Sequence, residues 1–456
     1  MFGKLKKILG GLEADYADIR YEVKKETVAE FAGKELTRVN ANSTDGFVMR
    51  ALYKGGFSSV AFTRPEDAPK AVASVLENAK LMSRNIKEPV RLAKVSVSKE
   101  YFHPEMAESP VTVTLEEKIE LARGYNSIPL KNSKVVSTNM SYEETCRDKY
   151  FLSSEGAEIR EELVTVSFAG QAMAKDGTLT QNLRYAIGGS DGFSSVRNRR
   201  EYFENNTKIL VDLLSAKPVV GGVYNVVLDQ ELGGVFTHEA FGHFSEADLI
   251  ENMPGLREKM RLGSQLGSGI LNITDNPTLP HQLGFYKYDD EGVPARRIEL
   301  MKNGVLSGRL HSRRTAAAFG EEPTGHCVAE DYRFAPIVRM GTIMIMPDLS
   351  MDLGKLLAKL GDGLYLRGAK GGQTSGENFT FGAAYGFEVK AGKVTRMLRD
   401  INIMGNLFTT LKNIAAVGKE IELTERGGCG KGQTNIRSCH GGPHVLVNNV
   451  VVGGRQ

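Results

Sequence analysis

His238-Glu239-Ala240-Phe241-Gly242-His243 lies inside a mostly apolar run, Val235-Phe236-Thr237 before it and Phe244-Ser245-Glu246 after it. Two imidazoles and a carboxylate fall within six residues, the groups a zinc hydrolase needs: neutral nitrogens to hold the ion and a carboxylate to take a proton from water. The familiar zinc-protease helix carries H-E-x-x-H, with histidines four apart on one face. Here they are five apart. At roughly 100° per residue the second ring would sit about 140° round from the first, too far for a shared ion on a regular helix. A π-bulge, with i→i+5 bonding, restores the geometry and is often found at functional sites. A kink at Gly242 would serve as well. The spacing therefore predicts a distorted helix, and the competing reading is a buried helix that happens to carry two histidines.

Outward from this stretch, Gly222-Val223-Tyr224-Asn225-Val226-Val227-Leu228-Asp229 reads as a strand, and Gly233-Gly234 leads into the motif helix. Beyond it strand-and-turn patterns dominate, with glycine at short intervals; the 50 glycines exceed the usual share and suit tight turns and close backbone approaches. Upstream, period-two runs at Ile19–Val23, Thr27–Phe31, Leu36–Val39, Gly46–Tyr53 and Gly56–Phe62 read as an antiparallel meander, with a turn at Gly33-Lys34. Pro65-Glu66-Asp67 opens an amphipathic helix to about Met82, its apolar side formed by Ala71, Val72, Val75, Leu76 and Ala79. Thr114-Leu115-Glu116-Glu117 predicts a capped helix start running to about Asn126. Strands return from Val135 to about Ile187, with a turn at 153–156, followed by a polar helix from about Ser195 to Ala216. The break before Pro218 divides the chain into 1–217 and 218–456. The fold class expected is α+β: a mixed N-terminal α/β layer domain, then a sheet-rich C-terminal domain carrying the metal-site helix.

An apolar fraction of 41% and a charged fraction of 25% are ordinary for a chain with a sizeable core. A net charge of +3 without a dense Lys/Arg stripe gives no pointer to nucleic acid or a lipid surface. Cys146, Cys327, Cys429 and Cys439 are widely spread and form no C-x-x-C pair, so neither a disulfide framework nor a four-thiolate zinc site is expected. The opening Met1 to Leu9 mixes charged and apolar residues and lacks the apolar core of a signal peptide. No long apolar run suggests a membrane span. A soluble, cytoplasmic protein is expected.

Two histidines leave zinc one protein ligand short of the usual three. Cys327, Cys429, Cys439, His440, His444 and Glu246 are all chemically able to supply it. A Cys-bearing, Gly-rich segment near the end is attractive because thiolate binds zinc strongly, but that chemistry cannot choose between Cys429 and Cys439. Glu239, beside a ligand histidine, is the best general base; otherwise it is a helix-surface glutamate. Glu246, seven residues on, falls near the same face and either orients His243 or is a solvated charge. His281, His311 and His326 stand alone and are assigned no chemistry. Gly427 to Gln433 fails as a phosphate loop, because Gly432 follows Lys431 and the leading glycine is missing.

His238 to Asp248, read as His-Glu-Ala-x-Gly-His-x-x-Glu-x-Asp, resembles the signature of the TldD family of zinc metalloproteases. Asp289-Asp290-Glu291-Gly292-Val293-Pro294, Asn303-Gly304-Val305-Leu306, Tyr332-Arg333 with Pro336-Ile337-Val338-Arg339-Met340, Gly371 to Phe379, and Gly428-Cys429-Gly430-Lys431-Gly432-Gln433 resemble further segments of that family, in order, over nearly the whole chain. The resemblance implies Cys429 as third ligand beside His238 and His243, with Glu239 activating water. It implies zinc as cofactor, peptide substrates that are short or unfolded, and a homodimer or a heterodimer with a paralogue of the TldE (PmbA) type. Arg437-Ser438-Cys439-His440-Gly441-Gly442-Pro443-His444 departs from the family pattern of small residues. The rival expectation is a non-catalytic regulatory or peptide-binding subunit, against which the intact His238/Glu239/His243 set argues. Sheet-edge addition would suit peptide binding of low selectivity, since main-chain hydrogen bonds carry the affinity.

Overall fold

The computed structural model describes residues 1–454. Its N-terminal half is a seven-stranded sheet in the order β3-β2-β1-β5-β6-β4, with β7 also pairing β6. The strands are β1 (Tyr16–Ala32), β2 (Glu35–Tyr53), β3 (Gly56–Phe62), β4 (Lys99–Phe102), β5 (Val135–Ser153), β6 (Glu158–Asp176) and β7 (Leu179–Gly189). The meander expected at the start is present, but its segments join into longer strands. β2 runs without a break through the polar Asn40-Ala41-Asn42-Ser43-Thr44-Asp45, which no hydrophobic pattern marks. Pairing with β1 (Val28↔Asn40, Glu26↔Asn42) supplies the backbone partners that keep it extended.

Helices cover this sheet. α1 (Phe2–Leu9) and α2 (Ala68–Asn85) close a core around Ile19, Phe47, Met49 and Val75. On α2 the buried Ala68, Ala71, Val75 and Ala79 recur at helical spacing. α3 (Leu115–Leu130) begins at Thr114, whose side chain accepts from the Glu117 N–H, and it runs a turn past the expected end. α4 is Arg200–Asp212, shorter than the helix expected over 195–216, because Asn198 adopts a φ of 57° and separates α4 from the 3₁₀ turn Phe193–Val196. α3 and α4 bury Tyr125, Phe203 and Leu210 against Phe168 and Tyr185 of the sheet.

The C-terminal half holds an eight-stranded and a six-stranded sheet that share one large apolar core. Strand Gly222–Leu228 lies between Gly363–Ser375, parallel to it, and Val445–Gly453, antiparallel. In the six-stranded sheet Thr342–Ile345 runs parallel to Cys439–Gly442. α5 (Gln230–Phe236) follows the first of these strands, and Phe236, Ala240, Phe241 and Phe244 sink into the shared core. No helix among the described residues is long and apolar enough to cross a membrane.

The halves meet through buried charge. Asp290 takes Arg20 at 2.9 Å and Lys149 at 3.0 Å, Glu291 takes Arg50 at 2.8 Å, and Arg50 also holds Asp18. Burial disfavours the Asp290 carboxylate, but Arg20, Lys149 and Arg147 outweigh it and hold its pKa below the ordinary range.

Candidate metal centre

Asp229 starts the site. One carboxylate oxygen caps α5 by accepting from Leu232 N–H at 2.9 Å, and the other accepts from Gly368 N–H at 2.9 Å on the neighbouring strand. The helix then widens into a π-helix over Thr237–Gly242, the distortion that the five-residue spacing predicts. The His243 N–H donates to the His238 carbonyl, so the i→i+5 bond joins the two histidines themselves. Their rings meet edge to face with centroids 5.3 Å apart. Gly242 packs closely here: a Cβ on it would stand 2.1 Å from Met340 Sδ and 3.0 Å from Ile343 Cδ1, and the Met340 side chain would have to move.

His238, Glu239, His243 and Cys429 each place one ligand atom within 4.8 Å of the others. Cys429 Sγ lies 3.3 Å from His243 Nε2, and Glu239 Oε2 lies 3.8 Å from the same nitrogen. Nitrogen and sulfur ligands of one tetrahedral zinc sit roughly 3.6 Å apart, given their usual bond lengths. Buried His238 Nδ1 has no hydrogen-bond partner. Burial, together with His440, His243 and Arg339 nearby, pushes the His238 pKa well below its ordinary value, so the ring is neutral and its lone pair is free to bind. Two imidazoles, one of them with an unsatisfied buried nitrogen, and a thiol fit a zinc ion.

The supports of these groups are buried. Glu246 is fully buried, not solvated, and its Oε2 stands 3.1 Å from His243 Nδ1. Burial raises the pKa of Glu246, but the hydrogen bond to His243 and the charges of Lys431 and Arg339 prevail and hold it below the ordinary value. Lys431 Nζ donates to Glu246 Oε2 at 2.9 Å, Asp248 Oδ1 at 2.7 Å and the Val338 carbonyl at 2.7 Å. Two residues before it, Cys429 pairs with Ile436 through both backbone groups, closing the loop that carries the thiol. Gln433 pins the far side of the loop by accepting from Glu330 N–H and donating to the Ala335 carbonyl.

Of the other third-ligand candidates, Cys439 bonds Thr424 and His444 Nε2 pairs with Tyr365 Oη at 2.9 Å. Cys327 sits beside Val338 in a short strand pair. None of the three joins the cluster. Sequence reasoning gave no role to Lys431, Asp248 or Arg339, and named His440 only as a candidate ligand. The pair Glu246-x-Asp248, two acids flanking a buried turn, was the one signal that a cation had to come from elsewhere.

The fold and this constellation define a metallopeptidase of the PmbA/TldD type, and the chain belongs to that family. Residues 17–83, 108–230 and 221–454 match in turn the first, central and C-terminal domains of the PmbA/TldA metallopeptidases. A Synechocystis protein called a metalloprotease is 33% identical, over 97% of this chain and 95% of its own length. A protein of Saccharolobus solfataricus called a zinc metalloprotease TldD homolog is 28% identical over the full length of both chains. Among solved structures, a Thermotoga maritima protein superposes with a TM-score of 0.82 at 20% identity, covering 99% of this chain and 100% of that one. TldE from Thermococcus kodakarensis superposes with a TM-score of 0.78 at 17% identity, covering 100% of both chains. These two likenesses concern the fold.

Proposed function

We propose that the protein is a zinc-dependent peptidase that hydrolyses short or unfolded peptides with low sequence selectivity. His238, His243 and Cys429 hold the metal, and Glu239 is the general base. The observation that carries this reading is the convergence of two imidazoles, a thiol and a carboxylate at the distorted helix. When bound, zinc supplies a Lewis acid that acidifies water and polarises a carbonyl.

The chain's own residues do the rest. Glu239, half-exposed beside His243, takes the proton from the attacking water and returns it to the leaving nitrogen. Glu246 fixes the His243 ring by accepting its Nδ1–H, leaving Nε2 as the metal-facing nitrogen. Lys431 and Arg339 keep Glu246 ionised for that task. Peptides bind by adding a strand to a sheet edge near the motif, and a peptide complex without an added strand would sink this part. A heterodimer with a TldE-like paralogue, or a homodimer, is the assembly that suits the family; the name of the S. solfataricus relative and the fold likeness to TldE support it.

The test is cleavage of an unstructured peptide by zinc-loaded wild type and Glu239→Gln. Turnover lost by 10³-fold or more with zinc retained is the result expected. Equal turnover removes Glu239 as base, and no turnover by either favours the binding-subunit reading.

A further inference from the structure

His440 stands outside the four clustered ligands yet against them. Its strand, Cys439–Gly442, lies directly under α5: a Cβ on Gly234 would fall 2.5 Å from Gly441 Cα and 2.7 Å from Gly441 N. Only two glycines allow an approach this close. Four residues after Gly234, one turn along the helix, comes His238. Its ring meets that of His440 with centroids 5.1 Å apart and planes at 65°.

The backbone around His440 is fixed. Its N–H donates to Thr424 Oγ1 at 3.2 Å, its carbonyl accepts from Thr424 N–H at 2.9 Å, and it stands in register with Ile343 of the neighbouring strand. The side chain is different. It is only half-buried, and neither ring nitrogen has a hydrogen bond among the described residues. Arg184, an exposed residue of β7 in the N-terminal half, acts electrostatically on the ring. Its neighbours Cys439 and His444 are already bonded to Thr424 and Tyr365. The ring nitrogens of His440 are not among the buried unpartnered atoms, so they are open to water and to a ligand.

We propose that His440 is a further catalytic residue: its ring N–H donates a hydrogen bond to the carbonyl oxygen of the scissile peptide as that oxygen becomes negative. This rests on the peptidase reading. Water oxygen bonds to the carbonyl carbon while its proton passes to Glu239, and the π pair moves onto the carbonyl oxygen. His440 donates to that oxyanion without giving up its proton. The carbonyl then re-forms, the C–N bond breaks, and the nitrogen leaves with the bonding pair and takes the proton from Glu239. A donor aimed at charge that exists only in the transition state lowers the barrier without tightening substrate binding.

The test uses the zinc-loaded full chain as wild type, His440→Ala, His440→Gln and Glu239→Gln. The readouts are zinc per chain, kcat and KM on an unstructured peptide, and affinity for a phosphinic peptide that mimics the tetrahedral state. For His440→Ala the expected result is unchanged zinc, kcat down about 10²-fold or more, KM within about threefold, and phosphinic affinity falling with kcat. His440→Gln, which keeps an N–H donor, should recover part of the loss. Zinc lost in His440→Ala would make the residue a ligand and overturn the proposal. Unchanged kcat in His440→Ala, with turnover lost in Glu239→Gln, overturns this proposal alone. No turnover by the wild type removes the peptidase reading, and this proposal with it.

Discussion

Replacing Lys431 by Met keeps much of the side chain's length and removes only the ammonium. That ammonium donates to Glu246 at 2.9 Å, Asp248 at 2.7 Å and the Val338 carbonyl at 2.7 Å. Side-chain exposure is 22% for Lys431, 18% for Asp248 and 0% for Glu246. Removing one partner of a fully buried ion pair costs about 3–5 kcal/mol, because the other charge is left without compensation. Partial exposure of Lys431 lets water in, so the low end, about 3 kcal/mol, applies. For a unit the size of the C-terminal half this lowers the melting temperature of the metal-free protein by about 6–12 °C. Cys429 lies two residues away on the loop that Lys431 ties down, so zinc affinity should fall by about 10–100-fold, as for other outer-shell supports. Thermal unfolding of the metal-free protein and chelator-competition titration of zinc measure the two effects. In a cycle with Glu246→Gln the pair should couple by more than about 1 kcal/mol. A melting temperature within about 1 °C of wild type, with zinc affinity changed less than about twofold, refutes the argument.

Gly234→Ala should cost more stability than Gly242→Ala. The added methyl meets Gly441 backbone at 2.5 Å in the first case and the flexible Met340 thioether at 2.1 Å in the second. Comparison of melting temperatures checks the order. The interface between the halves should be acid-labile. The depressed pKa of Asp290 contributes stability that is complete above the unfolded carboxyl value near 4 and disappears as pH falls through the folded value. Asp290→Asn should cost about 3 kcal/mol near neutral pH, leaving Arg20 without a carboxylate and Lys149 with Glu161 alone, and should flatten the acid limb of a stability-versus-pH curve. An Asp290→Asn acid limb as steep as that of wild type would count against the assignment.

The part of the site carried by local spacing was legible in the sequence. A five-residue interval between metal-binding histidines cannot be met by a regular helix, and the π-helix over Thr237–Gly242 is the backbone's answer. The helix faces of α2 and the start of α3 were legible for the same reason, since 3.6-residue periodicity and a Thr cap are local signals. β2 was not: its middle is polar, and only pairing with β1 keeps it extended. Lys431 in a Gly-rich segment looked like a failed phosphate loop because its partners are 183 and 185 residues away. The burial of Asp289-Asp290-Glu291 was not legible, because it depends on Arg20, Arg50 and Lys149 turned inward from three strands of the other half. His440 could be named as a ligand candidate, but its contact with His238 depends on two glycines meeting across a helix and a strand.

The metal content of purified wild type beside Cys429→Ser and His243→Ala decides whether these side chains hold zinc. About one zinc per chain in the wild type and its loss in both variants is the expected result. Full zinc in Cys429→Ser, or a wild type that takes up no metal when zinc is supplied, would contradict it.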